Sequence, residues 1–197
     1  EPADYTAVKA PVFSFAKIRQ VDIALGPEMK STGEVIGLDY HFERALYKAI
    51  LASGIQIPEE GVILLTIADK DKQEAIELAR GYAALGFRLM ATEGTAKMFG
   101  QEGLPVETVR KVSEGSPHIL DLIRGGIIRM VISTLTKGKQ PEADGFKIRR
   151  ATVEHAIPCL TSLDTAKAVL EVLTVTRRRR LVYAMALQDY AGRIRKQ

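Results

Sequence analysis

Hydroxyl, ammonium and glycine groups recur along the second half of this chain, each time at the end of a short apolar run. Thr66 closes "VILLT" and leads to Lys70 and Lys72, while Thr92, Gly94 and Thr95 follow "FRLMA". Lys111, Ser113, Gly115 and Ser116 follow "VETV", and Ser133, Thr134, Thr136 and Lys137 follow "MVI". A phosphate is held by this combination: amide hydrogens at a helix start, a glycine that allows close approach, hydroxyl donors and a lysine as point charge. Each group has an ordinary reading when taken alone. Thr95 is a helix N-cap, and Lys72 and Lys111 are solvated surface lysines. Four strand ends with the same endowment are harder to attribute to capping, and they point to a shared anion site.

Other chemistries find less support. No nucleophile and base can be assembled, and the acids near these ends are few: Asp69, Asp71, Glu93 and Glu114. Glu114 beside Lys111 reads more simply as a solvated neighbour than as a base. His118 stands at a helix start, where it either meets the site or packs. His41 and His155 have no metal-spaced partner, and Cys159 is alone, so a zinc site and a disulfide framework are both disfavoured. Neither GxxxxGK[ST] nor GxGxxG occurs, so nucleotide hydrolysis and dinucleotide chemistry lack their phosphate loops. The site looks built to hold an anion rather than to transform it.

The elements that must position these groups follow from periodicity. Val62–Thr66, Phe87–Ala91, Val106–Val109, Met130–Ser133 and Ile157–Leu160 read as strands. Helical patterns alternate with them over Asp71–Leu85, Thr95–Glu102, Pro117–Arg124, Phe146–His155 and Asp164–Leu173. Gly86 and Gly103 suit helix C-termini, Pro117 a first helical position, and Asp164 a cap. The alternation predicts an α/β domain, doubly wound, with a five-stranded, mainly parallel sheet. Ahead of it, Asp39–Ala52 is an amphipathic helix, and Pro11–Phe15 and Gly33–Ile36 are short strands in a segment with no core of its own.

Composition adds bounds. The 197 residues allow one domain with an appendage, and 46% hydrophobic with 26% charged residues is ordinary for a soluble protein. No apolar run approaches the roughly 20 residues of a membrane helix. Glu1 follows no start methionine and no signal pattern is present, so the expectation is a chain beginning in mid-protein or after processing, in the cytoplasm. The net charge of +4 is local: Thr176–Gln197 holds seven Lys and Arg against Asp189, which leaves about −2 for the remainder. With no Trp and no basic face, a chain-wide nucleic-acid surface is not expected. Arg177–Arg180 reads as a solvated helix face, and Leu181, Val182, Ala184, Met185 and Tyr190 hint at an amphipathic helix that packs on the domain or on a partner.

Longer words carry a family likeness: "PVFSFAKIRQVDIALGPEMKSTGEVIG" (11–37), "LLTIADKDK" (64–72), "ATEGTA" (91–96), "KVSEGSPHILDLIRGG" (111–126) and "STLTKGKQPEADGFKIRRATVEHAIPCLTSLDTAKAV" (133–169). Over about residues 5–175 the chain resembles the C-terminal end of the large chain of carbamoyl-phosphate synthase. The resemblance implies four parts: residues 1–38 as the end of the second ATP-grasp synthetase half, 39–54 as a connecting helix, 55–175 as a methylglyoxal-synthase-like allosteric nucleotide-binding domain, and 176–197 as a basic helix or tail. It implies a parent ligase that makes carbamoyl phosphate from bicarbonate, ATP and glutamine-derived ammonia, for arginine and pyrimidine biosynthesis. That parent uses ATP with Mg or Mn and a glutaminase small chain; this portion carries no cofactor and no catalysis.

By the same resemblance, the phosphate of an effector such as UMP or IMP is held by Thr92, Thr95 and Lys72, with Gly94 and Thr66 beside it. Lys111, Val112, Ser133, Thr134 and Thr136 border ribose and base. The family pattern begins with Asn where this chain has Ser133, and a serine reaches less far and offers fewer hydrogen-bonding groups, which bears on selectivity. The acidic residue expected for ornithine falls at Ala10, which argues against that effector. The related methylglyoxal synthases use an aspartate in a "GGD" turn, and here the turn reads "EGSPH". Two other readings stay open, a phospho-lyase of that type and a basic tail that binds RNA or a partner chain, and a homo-oligomer is compatible with all of them.

Overall fold

The computed structural model describes residues 4–13, 29–134, 144–179 and 184–192. They divide into two units, each described by itself. The larger holds strands β3 (Val62–Thr66), β4 (Arg88–Thr92), β5 (Val106–Val109), β6 (Ile128–Ser133) and β7 (Cys159–Leu160). Interleaved are helices α2 (Lys72–Ala84), α3 (Glu93–Gln101), α4 (Ile119–Arg124), α5 (Asp144–Glu154) and the first half of α6 (Leu163–Arg179). The sheet order is β5-β4-β3-β6-β7, with every neighbouring pair parallel.

The expected doubly wound α/β architecture is what the chain adopts, and β3 shows why. Its residues alternate between two faces, and Val62, Ile63, Leu64 and Leu65 are all buried, so both faces are covered. Val62 and Leu64 join Val109, Ile119, Ile123, Ile128, Val131 and Ile148 in one core cluster, the face closed by α4 and α5. On α2, Tyr82 is fully buried and donates its hydroxyl to the Ala166 carbonyl of α6 at 2.7 Å, and that burial raises its pKa. A Cβ at Gly81 would meet the side chain of Leu170, so α2 and α6 approach closely there.

Element ends differ in informative ways. Gly86 (φ 84) and Gly103 (φ 75) take the left-handed conformation expected after α2 and α3. Helix α3 begins two residues early: Thr92, extended at ψ 155, is its N-cap, and Thr95 is a buried residue of the first turn rather than the cap. The first helical residue of α4 is Ile119, capped by His118, and not Pro117, whose bond to Ser116 is cis. Ser162 rather than Asp164 opens α6, its Oγ accepting from the Thr165 amide at 3.2 Å. That helix runs six residues past Leu173, to Arg179. Leu181 and Val182, and the segment 135–143 with Thr136 and Lys137, lie outside the described residues.

The smaller unit contains strands β1 (Thr6–Phe13) and β2 (Ser31–Asp39), helix α1 (Phe42–Ala52), the end of α6 from Glu171, and α7 (Leu187–Gly192). The two strands are longer than the sequence suggests and pair antiparallel, with Ala10 opposite Val35. They do not stand alone. Ala45 and Ala49 of α1 are fully buried, and a Cβ at Gly37 would meet the Ala45 carbonyl oxygen and the Ala49 nitrogen, so helix and strand touch backbone to backbone. Tyr190 of α7 is also buried: its hydroxyl donates to the Leu38 carbonyl at 2.7 Å, and Lys48 Nζ donates to the same carbonyl at 2.9 Å and to the Tyr190 oxygen at 3.0 Å. Lys48 completes the cluster with an ion pair to Asp39 at 2.8 Å. Burial pushes the Asp39 carboxyl up, but the Lys48 ammonium and the His41 amide outweigh it and hold the carboxyl below its usual range.

The backbone contact at Gly37 sets an expectation. Gly37→Ala should cost about 3 kcal/mol of stability, because both atoms it meets belong to main chain. Gly33→Ala, whose Cβ would lie 3.9 Å from Val12, should be near neutral. Urea denaturation of the two variants checks the contrast, and equal midpoints would refute the close approach.

Candidate functional site

In an open parallel sheet, ligands sit beyond the carboxyl ends of the strands, at the point where the order reverses. Here β3 is followed by β4 on one side and flanked by β6 on the other, so the reversal falls between β3 and β6. Thr66 and Ser133 are register partners at that edge, and the Thr134 amide donates to the Thr66 carbonyl at 3.1 Å. Thr134 Oγ1 is committed, accepting from the Ala68 amide at 2.8 Å. Thr66 Oγ1 is buried and has no hydrogen-bond partner among the described residues. Ser133 is buried.

The helix that follows β3 supplies the positive charge. Lys72 is the first residue of α2, preceded by the 3₁₀ turn Asp69–Asp71, and its side chain is only 16% exposed. Its Nζ lies 3.6 Å from the position a Cβ on Gly94 would take. The ammonium therefore stands against the first turn of α3, where Gly94 offers no side chain to fill the space. Thr92 makes no side-chain cap there, and Thr95 is 2% exposed in the same turn. First-turn amides of a helix lack intrahelical acceptors and carry the positive end of its dipole. The Lys72 ammonium and the α3 start formed by Thr92, Gly94 and Thr95 thus lie side by side.

A sequence reading that treats acids as bystanders misses Asp69. Its Oδ1 accepts from Lys72 Nζ at 2.6 Å, and this bond lowers the Asp69 pKa. The Asp-x-x-Lys spacing was the available signal, but Asp71 competes for the same assignment, and in the fold it lies near Lys70 instead, at 3.7 Å. A polar groove of about 270 Å³ opens on the β6–β7 side, lined by Thr134, Asp71, Glu74, Thr161, Ser162 and Asp164 among others. It shares Thr134 and Lys70 with the residues singled out from the sequence and does not include Lys72 or Thr95.

After β5, Lys111 is exposed and Val112 packs against the core. The Glu114 carboxylate accepts from the Lys111 amide at 2.8 Å, so it serves its own turn. Asp121 does more: its Oδ2 accepts from the His118 amide at 3.0 Å and the Ser116 hydroxyl at 2.9 Å. His118 Nδ1 is 3.2 Å from the same oxygen, an ion pair only when the ring is protonated. The His118 amide first, and then the Ser116 hydroxyl, hold the Asp121 carboxyl below its usual range. Among the described residues no group of three or more His, Cys, Asp or Glu could hold a metal, and no helix is long and apolar enough to cross a membrane.

Residues 74–161 match the model of the MGS-like domain. Among solved structures it is similar to a methylglyoxal synthase from Elizabethkingia anophelis NUHP1, 24% identical, with 58% of this chain and 79% of the other covered and a TM-score of 0.48. It is also similar to ForH, 24% identical over 59% of this chain and 80% of that one, with a TM-score of 0.43.

The bonds to Asp121 predict a pH dependence. A carboxyl whose folded pKa is lowered contributes stability in full above its unfolded value, and loses it as pH falls through the folded one. Asp121→Asn should lower stability at neutral pH and flatten the decline below about pH 4. Urea midpoints from about pH 2 to 6 test this, and parallel profiles for variant and wild type would refute it.

Proposed function

We propose that this domain is the effector-binding end of a carbamoyl-phosphate synthase large chain, taking the phosphate of a nucleoside monophosphate, UMP or IMP in type, at Lys72, Thr92, Gly94 and Thr95. The observation that supports it most is the Lys72 ammonium, mostly withdrawn from water and 3.6 Å from the Cβ position of a glycine in the first turn of α3. A lysine ordinarily extends its ammonium into water, and one held out of it needs a partner for its charge; Lys48 is surrounded by such partners, whereas among the described residues Lys72 has only the exposed Asp69. Thr66, with its buried and unbonded hydroxyl, is the next donor in reach of the same strand edge. Lys111, Ser133 and Thr134 are assigned to ribose and base, with Thr136 beyond the described residues.

A phospho-lyase would need a carboxylate free to take a proton. In the turn "EGSPH" the Glu114 carboxylate already accepts from the Lys111 amide, and Asp121 beside it is hydrogen-bonded by two donors and more acidic than usual. The site then binds its ligand without turnover. Its regulatory effect requires that the ligand bind two arrangements of the whole protein with different affinity, since equal binding shifts nothing.

Calorimetric titration with UMP and with IMP should give saturable heat and thermal stabilisation at about millimolar ligand or below. Lys72→Met should weaken binding by at least about tenfold while leaving the fold intact. Absence of heat and of stabilisation for both nucleotides would defeat the reading. Phosphate release from dihydroxyacetone phosphate would replace it with the lyase.

A further inference from the structure

The Lys72 ammonium does not stand alone at its site, and its partner is unevenly placed. Asp69 Oδ1 is 2.6 Å from Nζ, yet the Asp69 side chain is 95% exposed, against 16% for Lys72. One member of the pair is fixed by its surroundings and the other is fixed by almost nothing else. We infer that Asp69 is a resident counter-ion of the anion site, occupying Lys72 when no ligand is bound and yielding it when a phosphate arrives. The inference rests on the proposed phosphate site and concerns how that site is regulated.

The physical argument concerns what each state costs. An ammonium mostly removed from water beside a helix N-terminus meets charge of its own sign, and it needs a neutralising partner even when the site is empty. Asp69 provides one from the 3₁₀ turn immediately before α2, three residues ahead of Lys72. Because the carboxylate is nearly all in solvent, releasing it returns it to water with little loss, and an ion pair with so exposed a member is weak. An incoming phosphate monoester brings more charge and more acceptor oxygens, so it can serve the ammonium and the α3 amides together, which the carboxylate on Lys72 is not seen to do. Ligand binding is therefore an exchange of anions on Lys72, and the measured affinity is a difference between two bonds to one ammonium.

The test is titration of the full chain with inorganic phosphate and with UMP, for wild type, Asp69→Asn, Asp71→Asn and Lys72→Met. Asp69→Asn should tighten both ligands by about two- to fivefold, since it removes the competitor. Asp71→Asn removes the same charge two residues away, from beside Lys70, and should change affinity by less than about 1.5-fold at physiological salt. The ¹³C carboxyl resonance of Asp69 should also move toward that of a free carboxylate as UMP saturates the wild type. Lys72-dependent binding that Asp69→Asn leaves unchanged or weakens would overturn the exchange while sparing the site. An equal gain for Asp71→Asn would overturn it too, by showing a general field in its place. If neither ligand binds wild type or any variant, site and exchange fall together.

Discussion

A parallel sheet has one carboxyl edge, and the candidate site depends on that constraint. All five strands of the larger unit run the same way, so each delivers the chain at the same edge to the turn and helix that follow. The helix starts there leave amides without intrahelical acceptors. The central strand, β3, is buried on both faces, and its last carbonyl is tied to the Thr134 amide across the reversal in strand order. That edge cannot shift without breaking the packing of Val62 through Leu65. A rigid edge is what allows a single lysine, Lys72, to be held against a glycine of the neighbouring helix.

The sheet was largely legible because its signal is simple: short apolar runs separated by helical periods allow few other architectures. Strand ends at Thr66 and Ser133 are where the pattern places them. Helix starts were less legible. Thr92 and Thr95 can both cap, and the choice fell to the backbone, which stays extended at Thr92 and lets Glu93 and Gly94 into the helix. Ser162 displaced Asp164 for the same kind of reason: both side chains suit a cap, and only one sits beyond the first helical residue. Helix α6 outran its expected end because the Arg run resembled a solvated tail, although Val172 and Leu173 are buried just before it.

For the site, residue identities could be read and their commitments could not. Lys72 stands against Gly94, and Thr95 lies in the same first turn of α3. That Thr134 spends its hydroxyl on the Ala68 amide is a contact across 66 residues, which no local pattern encodes. The pairing of Lys72 with Asp69 rather than Asp71 is set by the 3₁₀ turn between them, whose tighter winding aligns residues three apart. In the smaller unit the same lesson holds for Tyr190. Helix α7 is far shorter than a helix stable by itself, and its anchor is a ring between Tyr5 and Tyr40 with its hydroxyl on Leu38.

Lys48 and Lys72 show two solutions to one problem, an ammonium largely out of water. Lys48 is satisfied within its unit: a carboxylate, a carbonyl and a phenol oxygen surround it, and Asp39 is itself buried and held by the His41 amide. Nothing there can leave without exposing a charge to an apolar setting, so the cluster is structural. Lys72 has one carboxylate, and that carboxylate lies in solvent. The asymmetry separates a lysine locked into the fold from one whose counter-ion can leave, and exposure of the partner, more than exposure of the lysine, is the quantity that distinguishes them. Because the partner sits in a three-residue turn ahead of α2, a change in that turn alters what the Lys72 ammonium is paired with, without moving the sheet edge that carries it.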